Sequence, residues 1–282
     1  MLFQRWPTVA LRPERPTGTK TFRWGFVVGS HLLIQISDVH LTVSGSMPPG
    51  VRPRDNLLGG LRLLGEAGIR PEVFLLTGDL ADAGDGDCYD DLAGILSEAA
   101  AASGASVVYV PGNHDDRDTF RRRLLNDTGQ GPVNQTHWQD GLRVIALDST
   151  VPGEDGGALA EETLSYLRSA LGTPAPDGTV VALHHPPIPS PIQPMTRMAL
   201  RDPELLRDAI ADSDVRLVVC GHNHHEALGT LGRVPVWVSP ASAYRLDTAS
   251  TQTFHGVPGT AFSRIDISDD GPRVTVIPVP VT

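Results

Sequence analysis

The stretch His31-Leu32-Leu33-Ile34-Gln35-Ile36-Ser37-Asp38-Val39-His40 is a β-rich apolar run that ends on two metal-type side chains. A short run apolar at nearly every position reads as a strand buried on both faces. Next along the chain, Leu57, Leu58, Leu61, Leu64 and Ala67 recur at helical spacing between Asp55 and Gly68, and Gly68 with Pro71 supplies a stop. Val73-Phe74-Leu75-Leu76-Thr77 reads as a second strand, Asp90 to Ala102 as an alanine-rich helix, and Val107 to Val110 as a third strand. This βαβαβ order of apolar strands predicts a parallel sheet covered by helices on both faces, with right-handed crossovers. Ligands of such sheets bind beyond the carboxyl ends of the strands.

The second half repeats the habit less regularly. Strands are expected at Arg143 to Leu147, Val180 to Leu183, Leu217 to Cys220 and Val236 to Val238, with helices at Leu159 to Leu171 and Glu204 to Ala211. Phe262 to Ile267 and Arg273 to Ile277, around Asp269-Asp270-Gly271, read as a C-terminal β-hairpin. The order fits an α/β protein of two packed mixed sheets flanked by helices, a four-layer αββα sandwich. Residues 24–282 are expected to form one domain, with 1–23 a loose extension broken by Pro7, Pro13 and Pro16. The richest loop, Pro186 to Asp202, is stiffened by five prolines.

Each strand end carries chemistry. Asp38-x-His40, Gly78-Asp79, Gly112-Asn113-His114-Asp115, His184-His185 and Gly221-His222-x-His224 follow apolar runs in turn. Asp38, His40, Asp79, Asn113, His184, His222 and His224 are oxygen and imidazole donors of the kind that suit a pair of borderline cations, and such a pair suits phosphoester hydrolysis.

Composition narrows the field. A formal net charge of −10 disfavours a non-specific nucleic-acid binder, because that task needs Lys and Arg against phosphates. It leaves a small phosphate substrate open, since bound cations bring their own local charge. Two cysteines, Cys88 and Cys220, are too few for a disulfide framework and point to a reducing cytoplasm; Cys220 reads as a buried small hydrophobe. The N-terminal segment lacks a signal-peptide core, and Phe26 to Ile36 is too short and interrupted to span a membrane.

With all five clusters assembled, the chain resembles the calcineurin-like metallophosphoesterase superfamily. That superfamily's pattern is D-x-H, G-D, G-N-H-D or G-N-H-E, H, and G-H-x-H, and this chain has DVH, GD, GNHD, HH and GHNH between Ile34 and His224. Within it the runs LIQISDVHLT, LLTGDLAD, YVPGNHDDR, ALHHPPIPS and GHNHH resemble the class III cyclic nucleotide phosphodiesterases. The resemblance implies the metallophosphoesterase fold. It also implies one metal held by Asp38, His40, Asp79 and His224, and a second held by Asp79, Asn113, His184 and His222. Asp79 would then bridge cations about 3.5 to 4 Å apart, with a hydroxide between them as nucleophile. Iron and manganese are the first expectation for the two ions, with zinc or cobalt also accepted by this donor set.

In that pattern His114 is not a ligand but the donor of a proton or hydrogen bond to the leaving alkoxide, and Asp82 resembles the carboxylate that orients its ring. His40, Asp79, Asn113, His114 and His224 would meet the substrate. The leading substrate is 3′,5′-cyclic AMP. The alternatives are a broader phosphodiesterase or phosphomonoesterase acting on glycerophosphodiesters or 2′,3′-cyclic nucleotides, and a partner-binding module without catalysis. Relatives of the class often form homodimers, so a homodimer is an open expectation.

Plainer readings stand beside these. His184-His185 leaves open which ring faces a metal, although the family pattern uses the first. Asp115 and Asp116 are expected to cap the following helix, and Asp148 to be a polar support. His31, His137 and His255 have no partner motif and are taken as structural, and His225 as a neighbour of the last cluster. Met195, Met198 and Leu200 could cover a base, pack the loop, or meet a second copy.

Overall fold

A computed structural model describes residues 30–47 and 50–280; the N-terminal extension expected at 1–23 lies outside them. The first half runs β1 (His31–Ile36), α1 (Pro53–Glu66), β2 (Val73–Thr77), α2 (Gly86–Ser103), β3 (Ser106–Val110) and α3 (Arg117–Leu124). Then follow β4 (Gln135–Gln139), β5 (Leu142–Ala146), α4 (Glu161–Ala170), β6 (Thr179–Ala182), α5 (Gln193–Arg197), α6 (Pro203–Ile210) and β7 (Val215–Cys220). The chain closes with β8 (Ala227–Leu231), β9 (Val234–Val238), β10 (Arg245–Leu246), β11 (Gly256–Val257), β12 (Thr260–Ser268) and β13 (Gly271–Val279).

Two mixed sheets result. The first has the order β13-β12-β1-β2-β3, parallel across β1, β2 and β3, with the hairpin β12-β13 added antiparallel to β1. The second has the order β4-β5-β6-β7-β9-β8, parallel from β5 to β9 and antiparallel at both edges. Successive side chains of a strand point to opposite faces, and here both faces are buried. Leu33, Val73 and Leu75 meet Val144, Val180 and Val219 between the sheets. Ile34, Ile36, Phe74 and Leu76 pack outward on Leu57 and Leu64 of α1 and Leu92 and Leu96 of α2. Ile145, Val181 and Val218 pack outward on Leu167 of α4 and Leu206 and Ile210 of α6. The layers are therefore helix, sheet, sheet, helix.

Several boundaries differ from the expectation. The helix expected from Asp55 begins at Pro53, whose fixed φ is pre-organised for a first helical turn. The helix expected from Asp90 begins at Gly86, and the hairpin extends to Thr260–Ser268 and Gly271–Val279. The proline-rich loop contains α5. Strands β4 and β8 carried no apolar run and went unread; both lie at sheet edges, where one side of the ladder faces solvent. Among the described residues no helix is long and apolar enough to cross a membrane.

Candidate metal centre

The strands β1, β2, β3, β6 and β7 all end on one side of the double sheet, and the loops after them bring the seven donor residues together. Backbone bonds lock these loops to one another. Asp38 N donates to Gly78 O at 3.0 Å, His40 N to Asp79 O at 2.8 Å, Gly221 N to His184 O at 3.0 Å, and Ala243 N to Asp38 O at 3.0 Å. Eight non-glycine residues have positive φ among the described ones, and five are Asp38, His40, Asp79, His222 and His224. That conformation costs a residue with a Cβ, although Asp and His tolerate it better than most, and strain of this kind concentrates at functional sites. Close approach also restricts the neighbours. A Cβ at Gly78 would lie 2.3 Å from His184 Nδ1, and one at Gly112 would lie 2.2 Å from Asp79 Oδ1.

Hydrogen bonds fix which ring nitrogens are free. A carboxylate or carbonyl oxygen only accepts, so a ring nitrogen facing one carries the proton. His40 Nδ1 donates to Asp82 Oδ1 at 3.0 Å, and His224 Nδ1 donates to Tyr244 O at 3.0 Å. Their Nε2 atoms then face each other at 3.1 Å as two lone pairs, an arrangement that needs a cation or an extra proton between them. Asp79 Oδ2 is 3.6 Å from His40 Nε2, and Asp38 Oδ1 is 3.5 Å from His224 Nε2. The second group repeats the pattern. His184 Nδ1 donates to Thr77 O at 2.8 Å, leaving Nε2 facing Asn113 Oδ1 at 3.2 Å, His222 Nδ1 at 3.2 Å and Asp79 Oδ2 at 3.3 Å.

The donor set fits cations on charge as well as on geometry. Asp38 is fully buried and accepts the His222 amide at 3.0 Å; burial, with Asp79 adding to it, pushes its carboxyl up to about 6. Burial also opposes ionisation of Asp79, but His184, His40 and His114 outweigh it and hold that carboxyl well below the usual range. Two buried carboxylates with imidazole nitrogens converging on them form a cradle that calls for positive charge, which bound cations would supply in place of ring protons.

His184 and His185 separate by their contacts. By distance alone His185 groups with His184 and His222. Yet both its nitrogens are already engaged: Ser149 Oγ lies 2.9 Å from Nδ1, and Nε2 donates to Asp155 O at 3.2 Å. Burial, with His184 beside it, pushes the His185 ring down to about 3, so it is a neutral brace behind His184. His225 is also buried, with Ser190 Oγ 2.8 Å from Nε2.

His114 lies beyond the donors and is partly exposed. Its Nδ1 donates to the backbone carbonyl of Asp82 at 2.8 Å, whereas the Asp82 carboxylate oxygen is 3.7 Å away and is bonded instead to His40. Asp82 thus touches both rings, His114 through its main chain and His40 through its side chain.

Asp116 caps α3 as expected, accepting from Thr119 N at 2.9 Å. Asp115 does not. It accepts from Gly112 N, Leu80 N, Ala81 N and Tyr89 Oη at 2.8 to 3.1 Å, tying the loop after β3 to the loop after β2. Asp148 is buried, accepts from Val133 N and Thr150 N, and is ion-paired with Arg117, whose Nε lies 2.8 Å from Oδ2, as a polar support would be. His31 lies at the opposite ends of the strands, bonded to Glu72 and Asp177.

A cavity of about 440 Å³ opens over the site, and His40, Asp79, Asn113, His114, His222 and His224 line it. The rest of its wall is Met195, Met198, Tyr244, Leu246, Phe254 and Gly256. Leu200 is absent from that wall because it is buried in the core outside the second sheet, paired across to Gly157. Tyr244, Leu246 and Phe254 went unread because their segment has no strand or helix periodicity.

Comparison with known proteins agrees with this architecture. The family described as calcineurin-like phosphoesterase matches residues 31–226. A probable cyclic nucleotide phosphodiesterase of Rhodococcus erythropolis is 41% identical over 218 residues, covering 77% of this chain and 72% of that protein. A cAMP/cGMP dual specificity phosphodiesterase of Mycobacterium tuberculosis is 40% identical over 219 residues, covering 77% and 69%. A dimetal phosphatase from Danio rerio superposes with a TM-score of 0.58 at 15% identity, covering 89% of this chain and 99% of that one, a likeness of fold.

Proposed function

This chain belongs to the calcineurin-like phosphoesterase family, and from that premise we propose that it is a metal-dependent phosphodiesterase converting 3′,5′-cyclic AMP to 5′-AMP. The observation that carries the metal requirement is the pair His40 and His224, whose Nε2 lone pairs face each other at 3.1 Å with both Nδ1 protons committed elsewhere. In this reading Asp38, His40, Asp79 and His224 hold one cation, and Asp79, Asn113, His184 and His222 hold a second. When bound, two such cations supply positive charge to the phosphoryl oxygens and acidify water at neutral pH. Manganese and iron are the first candidates, and zinc or cobalt suit the same donors.

The chain's own residues do the rest. Asn113 contributes a neutral oxygen where an aspartate would add negative charge against an anionic diester. His114, with Nδ1 held by the Asp82 carbonyl, keeps Nε2 for the substrate. As water adds to phosphorus and gives up a proton to solvent, the P–O3′ bond breaks, and His114 Nε2 is placed to donate a proton to the departing ribose O3′. Such proton donation contributes roughly 10² to 10⁴ in rate.

A panel of cyclic AMP, a glycerophosphodiester, bis-p-nitrophenyl phosphate and p-nitrophenyl phosphate, assayed with Mn²⁺ and with EDTA, tests the reading. It expects cyclic AMP to yield 5′-AMP with Mn²⁺ and nothing with EDTA. Turnover of the glycerophosphodiester without cyclic AMP would sink the substrate, and turnover in EDTA would sink the metal requirement.

A further inference from the structure

Six large hydrophobic side chains are conspicuously exposed among the described residues: Val43, Leu58, Trp138, Leu205, Leu228 and Phe254. Only Phe254 lines the cavity over the metal centre, with 52% of its surface open. An aromatic ring held open at the mouth of a polar site gains by being covered, and its flat face favours a flat partner.

The segment that carries Phe254 is anchored to the metal centre itself. Leu246 N donates to His224 O at 3.0 Å, Asp247 N to His255 O at 2.9 Å, and Gln193 N of α5 to Thr251 O at 2.9 Å. Ile192, Met195, Leu246 and Tyr244 form a small apolar cluster of their own beneath it. Met195 belongs to that cluster, Met198 N donates to Met195 O at 3.0 Å, and the segment of Phe254 is tied to α5 through Thr251, so the three lining residues share one braced wall. The cavity has two chemistries: imidazole and carboxylate donors on one part of its lining, and aromatic and thioether surface on the other.

We propose that this wall is a base-binding clamp, in which Phe254 stacks on the nucleobase of a cyclic nucleotide while Met195 and Met198 pack against its edge. The inference rests on the functional reading above and adds the group that selects a nucleotide over other phosphodiesters. A glycerol or ethanolamine substituent would leave Phe254 in water and set polar groups against apolar surface. A purine fills that surface, and its ring takes favourable contact from thioether sulfur.

The test compares cyclic AMP with methyl β-D-ribofuranoside 3′,5′-cyclic phosphate, which has the same reacting ring and no base. Wild type should show a much lower KM for cyclic AMP. Phe254→Ala should raise the KM for cyclic AMP by about 10-fold or more, as loss of one base-stacking aromatic does. The ratio of the two KM values should shrink by the same factor, and Phe254→Trp should restore it. Metal content measured on each variant keeps a collapsed site from passing as a result. An unchanged KM ratio in Phe254→Ala, with cyclic AMP still hydrolysed by wild type, would overturn the clamp alone. A wild type that turns over neither compound would overturn the functional reading and the clamp together.

Discussion

Asp79 Oδ1 accepts the backbone N–H of His114 at 2.9 Å, while Asp79 Oδ2 faces His40 Nε2 and His184 Nε2 at 3.6 and 3.3 Å. One carboxylate thus divides its oxygens between the loop that carries the proposed acid and the donors of both proposed cations. Asp79→Ala should lower bound metal from two ions per chain to fewer than one and remove detectable turnover of cyclic AMP. Elemental analysis of the purified variant decides it, and two ions still bound would end the shared role of Asp79.

His114 makes a different prediction because the hydrogen bond of its ring goes to a backbone carbonyl, Asp82 O, rather than to a donor residue of the proposed cations. His114→Ala should keep both ions and lose about 10² or more in kcat on cyclic AMP, whose ribose alkoxide needs a proton to leave. p-Nitrophenolate leaves without one, so bis-p-nitrophenyl phosphate should suffer far less. Equal losses on the two substrates would remove proton donation from the role of His114.

Asp115 is a structural tie whose loss should be read in stability first. Its carboxylate accepts from the Leu80, Ala81 and Gly112 amides and from the buried Tyr89 hydroxyl. Asp115→Ala strands these donors, which costs on the order of 3 kcal/mol. Asp115→Asn keeps an accepting oxygen and should cost less. Urea unfolding with metal present checks the order of the two variants. Equal midpoints for Asp115→Ala and wild type would contradict the tie.

The fate of Asp115 shows what could be read from the chain alone and what could not. Strands apolar on both faces announce themselves, and the donors after them were legible because a parallel sheet delivers its loops to one edge. The order Asp115-Asp116 before a helix looks like a cap, and only Asp116 is one. Asp115 turns back to the preceding loop, a choice set by the unpaired amides of Leu80 and Ala81 some 35 residues away. Positive φ at Asp38 or His224 likewise has no signature without glycine. Phe254 sits in a segment whose partners, Gln193 and His224 among its neighbours' bonds, come from two other loops. Long-range pairing of irregular chain leaves no period to read.

His31 lies far from the metal centre and sets a pH dependence of stability. It is buried at the start of β1, with Nδ1 on Glu72 Oε2 at 2.7 Å and Nε2 on Asp177 Oδ2, from the turn before β6, at 3.1 Å. Burial lowers the ring's pKa, but the hydrogen bonds it donates to Asp177 and Glu72, with the charge of both carboxylates, outweigh it, so the folded value lies above the ordinary 6.5. A raised folded pKa means the folded state binds the proton more tightly than the unfolded chain. The contribution to stability is therefore fully present below about pH 6.5 and is lost as pH rises through the folded value. His31→Gln cannot hold that proton, so its urea midpoint should fall below wild type most at low pH and approach it as pH rises. Midpoints measured from pH 6 to pH 9 test this; a constant gap between the two proteins would show that folding leaves the His31 pKa unchanged, and a gap that widens as pH rises would show a ring kept neutral in the fold.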